Sequence, residues 1–311
     1  MKKIIVLLLM TVLVITAGCA GQQGQNKGMK EITIGLMPDT DSLPFIIAQE
    51  KGFFADEGIT VTIQQFKSAM DRDSALQSGN LDGAVSDMLA VAFAKAGGFD
   101  VKVTSFTDGS YKLIAGKAEK AVGVKELVGQ DVAVSKNTII EYVTDRILAS
   151  NQLTSDSINK VVIPQIPTRL EMLQNGKLAA ATLPEPMASI AIYNGCKLID
   201  SSDQLGINPG VVLFTSTALD SKKAEIQAMY RAYNKAVQYL NNTDRSEYID
   251  IAMDKGGFPP AAKEAMLLPK YHEAALPKEK DVTDCITWLN QKQLVKQTYS
   301  YKDIVADIFA K

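Results

Sequence analysis

The chain is short of the residues that mark most enzyme and metal-site classes. Its 311 residues include three cysteines, one histidine and one tryptophan. Cys196 and Cys285 stand far apart, so there is no disulfide framework and no CxxC zinc pattern; both read as small buried hydrophobes. His272 sits in the run Pro269-Lys270-Tyr271-His272-Glu273, away from every strand end, and reads as a solvated or locally bonded histidine. There is no GxSxG elbow, GxGxxG turn, P-loop or HExxH pair, so no enzyme and no cofactor are expected. The acidic run Asp39-Thr40-Asp41 is too short for a calcium loop, and no metal is expected. A net charge of −2 leaves no electrostatic footprint for nucleic acid. After residue 15 no apolar run approaches the length of a membrane span.

What is present begins at the N-terminus. Lys2 and Lys3 precede an apolar run, Ile4 to Ile15, and then Thr16-Ala17-Gly18-Cys19. This is a charged n-region, an h-region too short to cross a bilayer, and small residues before a cut site. The cysteine directly after the small pair resembles a bacterial lipobox, in which residues 1–18 are a signal peptide and Cys19 carries the lipid. Residues 19–29 bury nothing and read as a flexible tether, reaching about 15–20 Å for about ten residues. The expected location is extracytoplasmic, lipid-anchored to the cell membrane without crossing it, as a monomer. A plain secretory signal with an accidental cysteine is the bland alternative.

Strand patterns alternate with helix patterns through the remaining length, which predicts an α/β fold. Strands are expected at 31–37, 59–66, 83–85, 101–106, 112–116, 131–135, 161–163, 178–183, 197–199 and 211–215. Helices fall between them, and from Ser221 onward the pattern is almost wholly helical. A faint repeat lies within this order. Leu76-Gln77-Ser78-Gly79-Asn80-Leu81-Asp82-Gly83-Ala84 can be laid over Leu173-Gln174-Asn175-Gly176-Lys177-Leu178-Ala179-Ala180-Ala181. Each reads as a helix end, a glycine C-cap and a short apolar strand. Coincidence in a common turn explains it equally well.

Ligands of open α/β sheets bind beyond the carboxyl ends of the strands. That rule selects Asp39, Thr40, Asp41, Ser42, Ser86, Asp87, Asp108 and Tyr111 in one half. In the other it selects Ser135, Asn137, Thr138, Arg169 and Glu185. Glu185, between two prolines, ranks first and Asp87 next. Several of the others have a structural role open to them: Asp41, Ser42, Asn137 and Thr138 as helix caps, Asp108 as a turn residue. Asp39, Asp41, Asp87, Asp108 and Glu185 outweigh Arg169 and Lys136, which favours a cation, an amine or an amino-heterocycle. Ser135, Asn137 and Thr138 with uncovered helix N-termini leave a small anion open.

Ordered fragments along the chain carry a family resemblance. Ile34-Gly35-Leu36-Met37-Pro38, Pro44 to Ala48, Gly52-Phe53-Phe54 and Glu57-Gly58-Ile59 resemble the opening of solute-binding proteins of ABC importers. The branch is that of the nitrate, taurine, alkanesulfonate and thiamine-precursor binders. Asp82-Gly83-Ala84, Leu127 to Ser135 and Leu173 to Pro186 continue the likeness. The resemblance implies a two-lobed periplasmic-binding fold of type II, with residues 30–113 and 213–311 in lobe one and 114–212 in lobe two. Strands 112–116 and 211–215 would pair antiparallel as the hinge. It also implies a small-molecule solute, ABC permease partners and lobe closure on the solute. A sensory role for the same fold is the competing reading.

Overall fold

The computed structural model describes residues 29–117 and 123–310. The leader and Cys19 lie outside the described residues. Among the described residues ten strands form two sheets. β1 (Ile32–Leu36), β2 (Val61–Gln65), β3 (Gly83–Asp87), β4 (Val101–Phe106) and β10 (Gly210–Thr215) make the first. β5 (Tyr111–Ala115), β6 (Asp131–Val134), β7 (Asn159–Val162), β8 (Ala180–Pro184) and β9 (Lys197–Ser201) make the second.

The strand orders are β2-β1-β3-β10-β4 and β7-β6-β8-β5-β9. In each sheet four strands run in one direction and one, β10 or β5, is inserted antiparallel between the third and the edge strand. The two sheets therefore share one plan. The faint repeat is real structure: Gly83 and Ala84 pair with Ile34 and Gly35, as Ala180 and Ala181 pair with Val132 and Ala133. β3 and β8 are buried along their whole lengths, as expected for central parallel strands covered on both faces. Gly83 is required there, since an added Cβ would meet the Leu213 carbonyl oxygen at 2.5 Å.

One expectation is corrected. The strands expected at 112–116 and 211–215 do not pair with each other. β5 lies between β8 and β9, and β10 lies between β3 and β4. Each crossing strand is absorbed by the sheet it enters, because burial and ladder bonds on both sides outweigh a two-strand ribbon. The chain passes between sheets through 107–110 and returns through 202–209.

The helices that position the site are α1 (Leu43–Glu50), α2 (Ala69–Gln77), α3 (Met88–Ala96), α4 (Ile139–Ser150), α5 (Ile166–Gln174) and α6 (Met187–Tyr193). α7 (Lys223–Asn242) covers α1, with the rings of Tyr233 and Phe45 4.9 Å apart. α8 (Glu279–Gln291) buries Val282, Cys285, Ile286, Trp288 and Leu289. Between α7 and α8 the chain is less helical than expected. Residues 266–278 run without a helix, in a stretch punctuated by Pro269 and Pro277, which interrupt helical hydrogen bonding. That run lays Tyr271 against Thr40, its hydroxyl donating to the Thr40 carbonyl at 3.0 Å.

Candidate functional site

The carboxyl ends of β1 and β3 face those of β6 and β8 across a cleft. Its unfilled space is about 460 Å³, open solvent at the mouth included. Of the residues expected from sequence, Asp39, Asp41, Ser86, Asp87, Tyr111, Ser135, Thr138 and Arg169 line it. Met37, Val85, Ile139, Ile140 and Ile166 add apolar wall, and Arg72 enters as a second cation.

Asp39 caps the turn before α1, its Oδ1 accepting from the Ser42 backbone N–H at 3.1 Å and the Ser42 hydroxyl at 2.8 Å. Burial, and then the nearby Asp41 charge, hold its carboxyl well above the usual range. Asp41 accepts from the Tyr111 hydroxyl at 3.0 Å, and burial pushes its pKa up to about 6. Gly109 passes so close that an added Cβ would lie 2.0 Å from Asp41 Oδ2. Asp87 serves two helices. Its Oδ1 accepts from the Ala90 N–H at 2.9 Å, capping α3, and its Oδ2 from the Ile139 N–H at 3.2 Å, at the start of α4 in the other sheet's half. One carboxylate thus occupies the positive ends of two helices. Burial raises its pKa despite the opposing pull of Arg72.

Further contacts draw the halves together: Ile166 N–H to the Lys67 carbonyl at 3.2 Å, and Thr40 N–H to the Glu185 carbonyl at 3.0 Å. These contacts hold the two halves close across the cleft.

The two arginines hold their own strands. Arg72 donates through Nη1 to the Val85 carbonyl at 3.1 Å, and Arg169 through Nε to the Thr182 carbonyl at 2.9 Å. Their surroundings differ. Arg72 is joined by Asp73, with Nε 2.9 Å and Nη2 2.8 Å from Oδ1, a charge contact only at Nη2, which like its Arg169 counterpart has no hydrogen-bond partner among the described residues. Arg169 spends Nη1 on the Ile163 carbonyl at 2.7 Å, and its Nη2 has no partner among the described residues. Burial lowers its pKa to about 10 with no carboxylate offsetting the effect. The Ser86 hydroxyl is likewise buried without a partner among the described residues.

Other expected residues serve elsewhere. Glu185 is buried but turned to the Lys112 ammonium and to the Ser189 N–H at 3.1 Å, so it caps α6 and only its neighbour Pro184 lines the cleft. Ser42 bonds Asp39, and Thr40 uses its backbone to join Glu185 and Tyr271. Asn137 sits in the left-handed region at φ 59°, its N–H donating to Glu141 at 2.7 Å. Asp108 faces away from the cleft and holds His272, Oδ1 2.7 Å from Nδ1 and Oδ2 2.7 Å from the backbone N–H. His272 is thus drawn to the end of β4, contrary to the sequence reading. The charges facing the cleft are Asp39, Asp41 and Asp87 against Arg72 and Arg169, a smaller acidic excess than expected.

Sequence reasoning missed Arg72, since Asp71-Arg72-Asp73 reads as a solvated helix face. The repeat carries the signal: extended four residues toward the N-terminus, it places Arg72 on Arg169 and their carbonyl acceptors Val85 and Thr182 on each other.

Among the described residues no cluster fit for a metal ion is found. The same two-sheet arrangement occurs in solved binding proteins. The alkanesulfonate-binding protein SsuA from Xanthomonas axonopodis pv. citri, bound to MOPS, is similar with a TM-score of 0.77 at 18% identity, over 89% of this chain and 98% of that one. The periplasmic nitrate-binding protein NrtA from Synechocystis PCC 6803 gives 0.70 at 14% identity, over 88% of this chain and 87% of that one. In sequence the chain is 26% identical over 265 residues to a Bacillus subtilis (strain 168) protein named for aliphatic sulfonates binding, covering 82% of this chain and 77% of that protein. The model of the NMT1-like family matches residues 25–252, most of the chain, and the chain belongs to that family.

Proposed function

We propose that this chain is the solute-binding component of an ABC importer, taking one small solute in the cleft and handing it to a permease. The observation that carries the reading is the meeting of two like sheets at their polar strand ends, with Asp87 already bonded across the gap to Ile139. Closure about a hinge is the motion such a geometry supports, with residues 107–110 and 202–209 as the hinge. The similarity to alkanesulfonate-binding and nitrate-binding proteins supports the transport role. Micromolar affinity corresponds to about 8 kcal/mol, within reach of a few satisfied polar contacts and one apolar wall.

The solute class follows the cleft. Asp39 and Asp41 favour an N–H or ammonium donor, the nitrogen-bearing solute expected from sequence. The partnerless Arg169 Nη2 favours the second reading, a small anion of the kind named for the relatives. No helix among the described residues is long and apolar enough to cross a membrane. A lipid on Cys19, an extracytoplasmic location, a monomeric state and the absence of catalysis complete the proposal.

Denaturing the purified chain and identifying what it releases tests the reading. One intact small molecule per chain, bound again unchanged on refolding, is expected. Conversion of a bound solute to product would replace the carrier with an enzyme.

A further inference from the structure

Arg72 and Arg169 occupy matching places in the two halves, and only one of them is neutralised. Asp73 lies against the Arg72 guanidinium, and the matching neighbour of Arg169 is the apolar Leu170. Arg169 is fully buried and lines the cleft; both guanidinium groups leave Nη2 without a hydrogen-bond partner among the described residues, but only Arg72 has a carboxylate beside it. A buried cation without a counter-charge is costly, so the missing acceptor is to be sought in what the cleft holds. The converging helix N-termini, the other natural seat for an anion, are filled by the Asp87 carboxylate. On the opposite wall Asp39 and Asp41 present acceptors.

Resting on the reading of the cleft as a solute site, we propose that Arg169 grips an acid group of the solute while Asp39 and Asp41 receive an amine at its other end. The cleft then selects a small zwitterion. The acid group is a carboxylate or a sulfonate, two sources of the same charge.

Titration calorimetry on the purified full chain tests this with β-alanine and taurine as zwitterions, propionate and ethanesulfonate as acids, and propylamine as amine. At least one zwitterion is expected to bind about tenfold or more tighter than its matched acid and than the amine, and which one binds names the acid group. Arg169→Lys, which keeps the charge but loses the planar fork, is expected to weaken that zwitterion by about 10–100-fold, the range of a charge-assisted hydrogen bond. Asp73 is partly exposed and leaves Arg169 untouched; Asp73→Asn, its folding checked by circular dichroism, frees Arg72 and is expected to tighten the acid-only probes.

An acid-only or amine-only probe binding as tightly as every zwitterion would overturn the proposal and leave the carrier reading standing. Asp73→Asn without any gain for acids would overturn the asymmetric roles of the two arginines. Failure of every probe would overturn the zwitterion class, and the released-solute experiment would then judge the carrier reading separately.

Discussion

Arg72 and Arg169 stand one structural repeat apart, and each donates to the carbonyl of a central strand at its own repeat-equivalent residue, Val85 or Thr182. The pairing makes the cleft a meeting of two copies of one device. The copies are then differentiated by what lies beside them.

Asp41 gives the fold a pH dependence of known sign. Its pKa of about 6 in the folded chain lies above the ordinary value of 3.8, so the folded state binds the proton more tightly than the unfolded state. The contribution is therefore fully present below pH 4 and lost as pH rises through 6. Burial raises Asp39 and Asp87 with the same sign. The solute-free chain is expected to melt higher at pH 5 than at pH 7. A shift of this size corresponds to about 3 kcal/mol, and Asp41→Asn is expected to flatten the profile in scanning calorimetry.

Asp87→Ser keeps an N-cap for α3, since serine can accept from the Ala90 N–H, but it is too short to reach Ile139. The expected result is near-normal stability with a more open solute-free chain, read as a larger radius of gyration by solution scattering. Loss of a hydrogen bond to a charged group, about 1.5–3 kcal/mol, is expected to weaken solute affinity about tenfold or more.

At Gly109 a methyl group would collide with the Asp41 carboxylate. Gly109→Ala is expected to lower stability by about 1–3 kcal/mol, as overpacking does. Because the collision displaces Asp41, calorimetric titration of the same variant is expected to show reduced solute affinity as well.

Trp288, the one tryptophan, reports the contact between α8 and α4. Its Nε1 donates to Asp145 Oδ2 at 3.2 Å and its ring meets Tyr142 edge-on at 5.6 Å. Asp145 also holds Lys160 at 2.6 Å and Lys292 at 2.8 Å. Asp145→Ala leaves two half-buried lysines sharing Glu141, and a destabilisation of about 3 kcal/mol is expected with a red-shifted tryptophan emission. Unchanged emission would show that Trp288 does not depend on this bond.

Much of this was legible in the sequence. Strands such as Ile32–Leu36 announce themselves by Ile32, Ile34 and Leu36 on one face, and the helix–Gly–strand repeat survived as β3 and β8 at matching places in two sheets. Strand-end logic brought Asp39, Asp41, Ser86, Asp87 and Ser135 to the cleft because they stand at or just past the carboxyl ends of β1, β3 and β6. What failed depended on partners distant in sequence. Glu185 looked functional between its prolines, yet its charge is used by Lys112, a residue on the neighbouring strand β5. The His272–Asp108 pair joins residues 164 apart. Arg72 could be buried because Gly35 lacks a side chain: a Cβ there would lie 3.3 Å from the Arg72 stem and 2.7 Å from Leu81. The hinge pairing failed because alternation announces a strand without naming its neighbours.

The insertion of β10 between β3 and β4 constrains the order in which the molecule can be assembled. All five strands of the second sheet come from one continuous stretch, β5 to β9, and its first and last strands lie side by side. The first sheet stays split, with β4 separated from β3 by an empty slot, until Gly210–Thr215 arrives. As the chain emerges N-terminus first, the half that begins later is the half that can be completed sooner. The earlier half must wait, with its central ladder edge unpaired, for a strand delivered after the whole of its neighbour.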